Sequence, residues 1–214
     1  MNTLKIKQIV FLLFCCLMLN FGFSQESKTE KIMGTALLII DIQNDYFEGG
    51  TNPLSGSEKA SENARLVLDR FRDRDLPVIH VQHIATSPSV TFFKPDTEGA
   101  EIRNIVKPKG QERLFVKHFP NSFRETGLIE YLKSMNITDL VVCGMMTHMC
   151  VDATVRAAKD FGFNIVLIGD ACATKDLKIN DQAVKASDVH NSFLAALNFT
   201  YARVISAKEY LERK

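Results

Sequence analysis

Tryptophan is absent from the chain, and cysteine and proline are scarce at 5 and 6 of 214 residues. So few cysteines exclude a small scaffold stapled by disulfides, and 11 glycines exclude a collagen-like rod. Neither sign of charge dominates. The 26 Lys+Arg against 25 Asp+Glu leave a formal +1, which supplies no field for gathering phosphate backbones or acidic lipids. Nucleic acid is therefore not an expected partner. No apolar run approaches the roughly 20 residues of a membrane-spanning helix. What is present is ordinary globular material, 46% hydrophobic and 24% charged, at a length that suits one domain.

The first 24 residues differ from the rest. Lys5 and Lys7 precede the apolar run Ile9–Leu19, and NFGFS follows up to Ser24. A basic stub, a short apolar stretch and a polar end read as a secretory signal peptide over 1–24, cleaved near Ser24. The expected product is exported, periplasmic or secreted, and meets a membrane only through that signal before cleavage. Losing its two lysines takes the formal charge from +1 to −1. Residues 25–33 are polar and read as a linker, leaving 34–214 as one domain. Cys143, Cys150 and Cys172 remain after cleavage. Three thiols cannot all pair within one chain, so at least one needs another explanation.

Beyond residue 33, apolar runs of strand length alternate with amphipathic stretches. Strands are predicted at Ala36–Ile42, Pro77–His83, Arg113–Lys117, Asp139–Gly144, Asn164–Asp170 and Arg203–Ser206. Helical stripes fall between them, at Ala60 to Phe71, Leu128 to Met135, about His148 to Phe161 and Ala186 to Leu197, with a short terminal helix after the last strand. Runs without period-2 alternation describe strands buried on both faces. The expected fold is α/β, a three-layer doubly wound arrangement with a mainly parallel six-stranded sheet. Residues 84–112 break the rhythm as a long Pro-, Gly- and Ser-bearing connection, the kind that serves as a lid or binding loop.

In such a sheet the ligand crevice lies beyond the C-terminal strand ends. Asp41, Lys117 and Cys150 fall at or just past three of those ends. Each alone has a plainer reading, as a turn residue, a surface lysine and a buried thiol. Together they have a mechanism. A cysteine in the first turn of a helix, beside an ammonium, would have its pKa lowered toward the thiolate. Asp41 could move the proton from thiol to leaving amine. Gly144 permits a tight strand-to-helix turn whose N–H groups could hold an oxyanion.

The strings LIIDIQNDYF (38–47), LFVKHFPNSF (114–123), GMMTHMCVDATVRAAKDFGF (144–163) and VLIGDACAT (166–174) resemble the isochorismatase-like cysteine hydrolases. The likeness covers about residues 35–208. It implies a doubly wound α/β domain with a catalytic triad of Asp41, Lys117 and Cys150. It also implies a cis peptide between Met145 and Met146, and an oxyanion hole from the N–H groups of Met146 and Cys150. Activity on an amide, carbamoyl or ureido centre through a Cys thioester follows, as does a homo-oligomer. No cofactor is expected. The nicotinamidase branch carries Asp-x-His-x-x-His after the first motif, but Gly49–Glu62 contains no histidine. The one HxxH, His80 and His83, lies in a predicted strand, where residues three apart face opposite ways. No metal is expected.

The substrate pocket is expected to draw on Gln43 and Phe47 and on Phe92 and Phe93 of the long loop, which could instead pack that loop onto the body. His148, two residues before the cysteine, is expected to face elsewhere, and His190 to be a satisfied core histidine. Cys143 and Cys172 read as buried thiols. Asn136 and Asn198 match the short glycosylation sequon, which recurs by chance. Two rival functions stay open: hydrolysis of a vinyl ether in an isochorismate-like acid, which would need Asp41 but not Cys150, and a pseudoenzyme that only binds a small molecule.

Overall fold

The computed structural model describes residues 34–213, so the leader expected over 1–24 and the linker over 25–33 lie outside the described residues. Six strands form one sheet in which every pairing is parallel: β1 (Thr35–Ile40), β2 (Val78–His83), β3 (Arg113–Lys117), β4 (Asp139–Met145), β5 (Asn164–Ala173) and β8 (Arg203–Ile205). Their order is β3-β2-β1-β4-β5-β8. The chain builds outward from β1 first in one direction and then in the other, which places the switch point between β1 and β4.

All six residues of β1 are buried, as the run TALLII requires of a central strand covered on both faces. Leu37 and Ile39 point to one core, together with Ala60, Ala64, Val67, Leu68 and Phe71 of α1 (Ser57–Asp73) and Ala207 of α5 (Ala207–Glu212). Ala36, Leu38 and Ile40 point to the other. There they meet α2 (Leu128–Ser134), α3 (Asp152–Asp160) and α4 (Ala186–Thr200) through Leu128, Leu132, Val155, Ala158 and Leu197. This is the expected three-layer α/β fold. Among the described residues, no helix is long and apolar enough to cross a membrane.

Several boundaries move for identifiable reasons. The first strand stops at Ile40 rather than Ile42 because Asp41 takes a left-handed backbone, φ 50°. The fourth continues through Gly144 to Met145, so the turn comes later than expected. The helix expected from His148 opens instead as a π-helical turn, Thr147–Val151, before α3. A hairpin of β6 (Leu177–Ile179) and β7 (Gln182–Val184) was not expected. Asn180 and Asp181 both have positive φ at its tip, the two-residue turn such residues favour.

The connection 84–112 contains two single 3-10 turns, Glu98–Ala100 and Asn104–Val106. It docks along the segment after β1: Asn44 N–H donates to Glu101 O at 3.0 Å and Arg103 N–H to Ile42 O at 2.9 Å. Asp45 pins its middle, accepting from Phe93 N–H at 2.6 Å and from the Thr51 N–H and hydroxyl. Its end is clamped by Glu112, which accepts from Arg72 Nε at 2.6 Å, His80 Nε2 at 2.9 Å and Lys109 N–H at 2.9 Å.

Burial pushes the Glu112 carboxyl up, but the Arg72 guanidinium, the Lys109 N–H and His80 together outweigh it and hold its pKa at about 2. A carboxylate whose folded pKa is depressed contributes stability that is full above its ordinary value and is lost as pH falls toward 2. Glu112→Gln is expected to cost about 2 kcal/mol near neutrality. The gap to wild type should close in urea melts taken from pH 5 down to pH 2.5; a gap independent of pH would overturn the assignment.

Candidate active site

Parallel strands end on the same side of the sheet, and four adjacent ones each deliver a side chain there. Lys117 ends β3, His83 ends β2, Asp41 follows β1 and Cys150 lies in the π-helical turn after β4. Register sets their level. His83 pairs with Lys117, and the pairing of Ile40 with Val81 carries β2 two residues past the end of β1. The left-handed turn at Asp41 ends pairing there and redirects the chain, at a cost of roughly 1–2 kcal/mol that the buried site must offset.

The Lys117 ammonium joins the group. Its Nζ is 2.7 Å from Asp41 Oδ2, 2.8 Å from His83 Nδ1 and 3.2 Å from Cys150 Sγ. The contact with Asp41 is an ion pair, and Asp41 Oδ1 has no hydrogen-bond partner among the described residues. Asp41 and Lys117 are fully buried and Cys150 is 3% exposed; only the His83 side chain, at 17%, reaches the surface. Asp41, His83 and Cys150 bring ligand-type atoms within 4.8 Å of one another. Lys117 Nζ already contacts all three, so this donor set holds a cation belonging to the chain itself.

Burial opposes the ammonium, but Asp41 and the Cys150 sulfur outweigh it, and the Lys117 pKa lies above its ordinary value. Cys150 departs from expectation. Burial and the Asp41 carboxylate push its thiol up, and Lys117 only partly offsets them. The expected thiolate is thus corrected: a helix start and a neighbouring lysine do not compensate for the loss of water around a buried sulfur. Cys150 therefore rests as a thiol beside the Asp41 carboxyl group.

The Met145–Met146 peptide is cis. Gly144 precedes it inside β4 with φ 138°, and a Cβ there would lie 2.0 Å from Ile40 O. The glycine therefore lets β4 approach β1 next to Asp41, rather than forming the tight turn expected of it.

The pocket expectations divide. Gln43 is fully buried and spends its amide on backbone, donating to His83 O and Ala100 O and accepting from His83 N–H at 2.7 Å. Phe47 is also fully buried, with the Arg103 guanidinium 4.5 Å over its ring. Neither is free to line a pocket, because hydrogen bonding and packing consume them. Phe92 and Phe93 pack on Tyr46 at 5.9 and 4.6 Å between ring centroids, and Phe93 lies 6.0 Å from the His83 ring. Phe93 thus packs beside His83, the one site residue that reaches the surface, and Phe92 packs on Phe93 and Tyr46. A cleft of about 500 Å³, lined by Asn44, Lys94, Glu98 and Arg103 among others, contains none of the four site residues.

His148 bonds Thr174 Oγ1 at 2.5 Å, and His190 is half-buried with Nδ1 2.9 Å from Thr147 Oγ1. Cys143 and Cys172 are buried free thiols. His83 is the site residue that sequence reading missed. Its signal was available, since it is the last residue of its strand, as Lys117 is of the next.

An isochorismatase domain model matches residues 35–200. The isochorismatase family protein YddQ of Bacillus subtilis is 49% identical over 180 residues, covering 84% of this chain and 100% of that one. The secreted isochorismatase effector Isc1 of Verticillium dahliae is 30% identical, covering 85% and 92%. Among solved structures, an isochorismatase from Pseudomonas putida superimposes with a TM-score of 0.78 at 34% identity, covering 83% of this chain and 90% of that one. The chain belongs to the isochorismatase family of hydrolases.

Proposed function

We propose that this hydrolase is a metal-independent cysteine amidohydrolase acting on a small amide, carbamoyl or ureido compound. The observation that carries the reading is one buried ammonium touching both a carboxylate and a thiol, Lys117 on Asp41 and Cys150. Such a group serves a reaction in which a proton leaves sulfur and negative charge moves between sulfur and oxygen.

The steps follow from the placement. Asp41 takes the Cys150 proton as Sγ attacks the carbonyl carbon, and Lys117 stabilises the thiolate that forms. The negative charge that collects on the carbonyl oxygen would be met by the N–H groups of Met146 and Cys150. Collapse breaks the C–N bond, and Asp41 returns the proton to the departing amine or ammonia. Water then attacks the thioester, giving its proton to Asp41, and the thiol is restored as the acid leaves. The unpartnered Asp41 Oδ1 suits an N–H of an amide or urea, which must donate into the site.

Ammonia release from a panel of small amides, ureas and carbamoyl compounds tests this. Cys150→Ala should lower kcat by at least roughly 10³-fold on whichever compound wild type hydrolyses. Equal turnover by both proteins would overturn the thioester route, and hydrolysis of an isochorismate-like vinyl ether that survives Cys150→Ala would favour that chemistry, which does not need the sulfur. No turnover of any compound by wild type would favour the binding-only reading.

A further inference from the structure

His83 belongs to no triad, yet it is built into the site more firmly than its surface position suggests. Both of its backbone polar groups are held by the buried Gln43 amide, at 2.9 Å on its carbonyl and 2.7 Å on its N–H. Its Nδ1 is 2.8 Å from Lys117 Nζ, 3.9 Å from Asp41 Oδ2 and 4.0 Å from Cys150 Sγ. An ammonium can only donate, so Nδ1 must be an acceptor and the ring proton must sit on Nε2. Burial, then the Lys117 charge, lower the His83 pKa to about 4, so the ring is neutral near pH 7, as that tautomer requires.

A buried ammonium carries three N–H groups, and each needs an acceptor. Asp41 and Cys150 supply two. Both change during the proposed reaction, the carboxylate by taking a proton and the sulfur by becoming an ester. We infer that His83 is a positioning residue, the one acceptor on Lys117 that stays unchanged throughout, holding the ammonium charged and aimed at the sulfur. The inference rests on reading Lys117 as the partner of Cys150. Without the ring, one N–H is stranded, the ammonium gives up its proton more readily, and the thiolate loses its counter-charge.

Asparagine can place a carbonyl oxygen where Nδ1 now sits, whereas phenylalanine and leucine fill the space without an acceptor. His83→Asn, His83→Phe and His83→Leu therefore separate hydrogen bonding from packing. The first readout needs no substrate: the rate at which iodoacetamide modifies Cys150 at pH 8, followed by mass spectrometry of its peptide in the full chain. His83→Asn should stay within about threefold of wild type, while the apolar variants fall by about tenfold or more, the effect of roughly one pH unit in thiol ionisation. On a hydrolysed substrate, the apolar variants should lose kcat with KM little changed, and His83→Asn should recover it.

Thermal melts check folding, and two apolar variants guard against one failing to fold. A space-filling role would reverse the order, with phenylalanine or leucine better tolerated than asparagine. That order, or equal rates in all variants, would overturn the assignment. If the modification rates rank as expected but no amide is hydrolysed, the position of His83 stands and the amidohydrolase reading falls.

Discussion

Lys117→Met is expected to destabilise the protein by about 3–5 kcal/mol and to abolish measurable turnover. Removing the ammonium leaves the Asp41 carboxylate fully buried with no opposite charge, and an uncompensated buried ion costs more than the pair contributed. The double variant Asp41→Asn/Lys117→Met should recover at least about half of the lost stability, because neither charge then remains in the site. Asparagine suits the test, since it tolerates the left-handed backbone that Asp41 adopts at φ 50°. Activity should not return in the double variant, as both the proton acceptor and the ammonium are gone. Urea denaturation of the four proteins gives the cycle. If the double variant were as unstable as the sum of the singles, the two charges would not be coupled, and the site would need another description.

Gly144→Ala should have a comparable effect through backbone alone. The new Cβ would fall 2.0 Å from Ile40 O and 2.7 Å from Ile40 N, which belong to the central strand and cannot swing away as a side chain could. Its φ of 138° is also strained for any residue with a side chain. A loss of about 4 kcal/mol or more is expected, a fall in Tm of roughly 8–16 °C for a domain of this size. Gly162→Ala separates the two causes. Gly162 has φ 94° but nothing within 4 Å of its Cβ position, so it should lose only the conformational part, about 1 kcal/mol. Equal losses at both glycines would mean that strain, rather than the approach of β4 to β1, makes Gly144 necessary. Whatever Gly144→Ala protein folds should also hydrolyse poorly, because Ile40 directly precedes Asp41.

Much of this was legible in the chain. Continuous apolar runs announced strands buried on both faces, and their alternation with helical stripes announced a parallel sheet. Parallel strands end on one side, so reactive residues at strand ends had to gather there. That argument found Asp41, Lys117 and Cys150 without distances. It reaches His83 too, as the last residue of its strand, but what that residue touches depends on which strands are neighbours, and spacing along one strand does not report that. Once β2 lies between β3 and β1, its last residue stands between Lys117 and Asp41. The same HxxH then splits into two tasks: His80 pairs with Glu112 under the loop, and His83 faces the site.

Gln43 and Phe47 show a second limit. Residue type marks them as able to bind a ligand, yet a buried amide is claimed by whichever backbone groups the fold leaves unpaired, here those of His83 and Ala100. Phe47 is likewise covered by Arg103 from the long loop.

The scarcity of cysteine set the first question, which thiol lies where parallel strands end, and the sequence by itself determined that address. Cys150 follows a strand end, whereas Cys143 lies inside the same strand and Cys172 is buried near the end of the next. Sequence also determined the layers of the fold, because burial on both faces is written in local hydrophobicity. Only the tertiary structure decided the protonation state and the fourth partner. Helix position and a nearby lysine argue locally for a thiolate, but the sulfur's free energy depends on how much water surrounding elements exclude and on the full set of charges they bring close. At 3% exposure, with Asp41 beside it, desolvation and like charge outweigh a single ammonium.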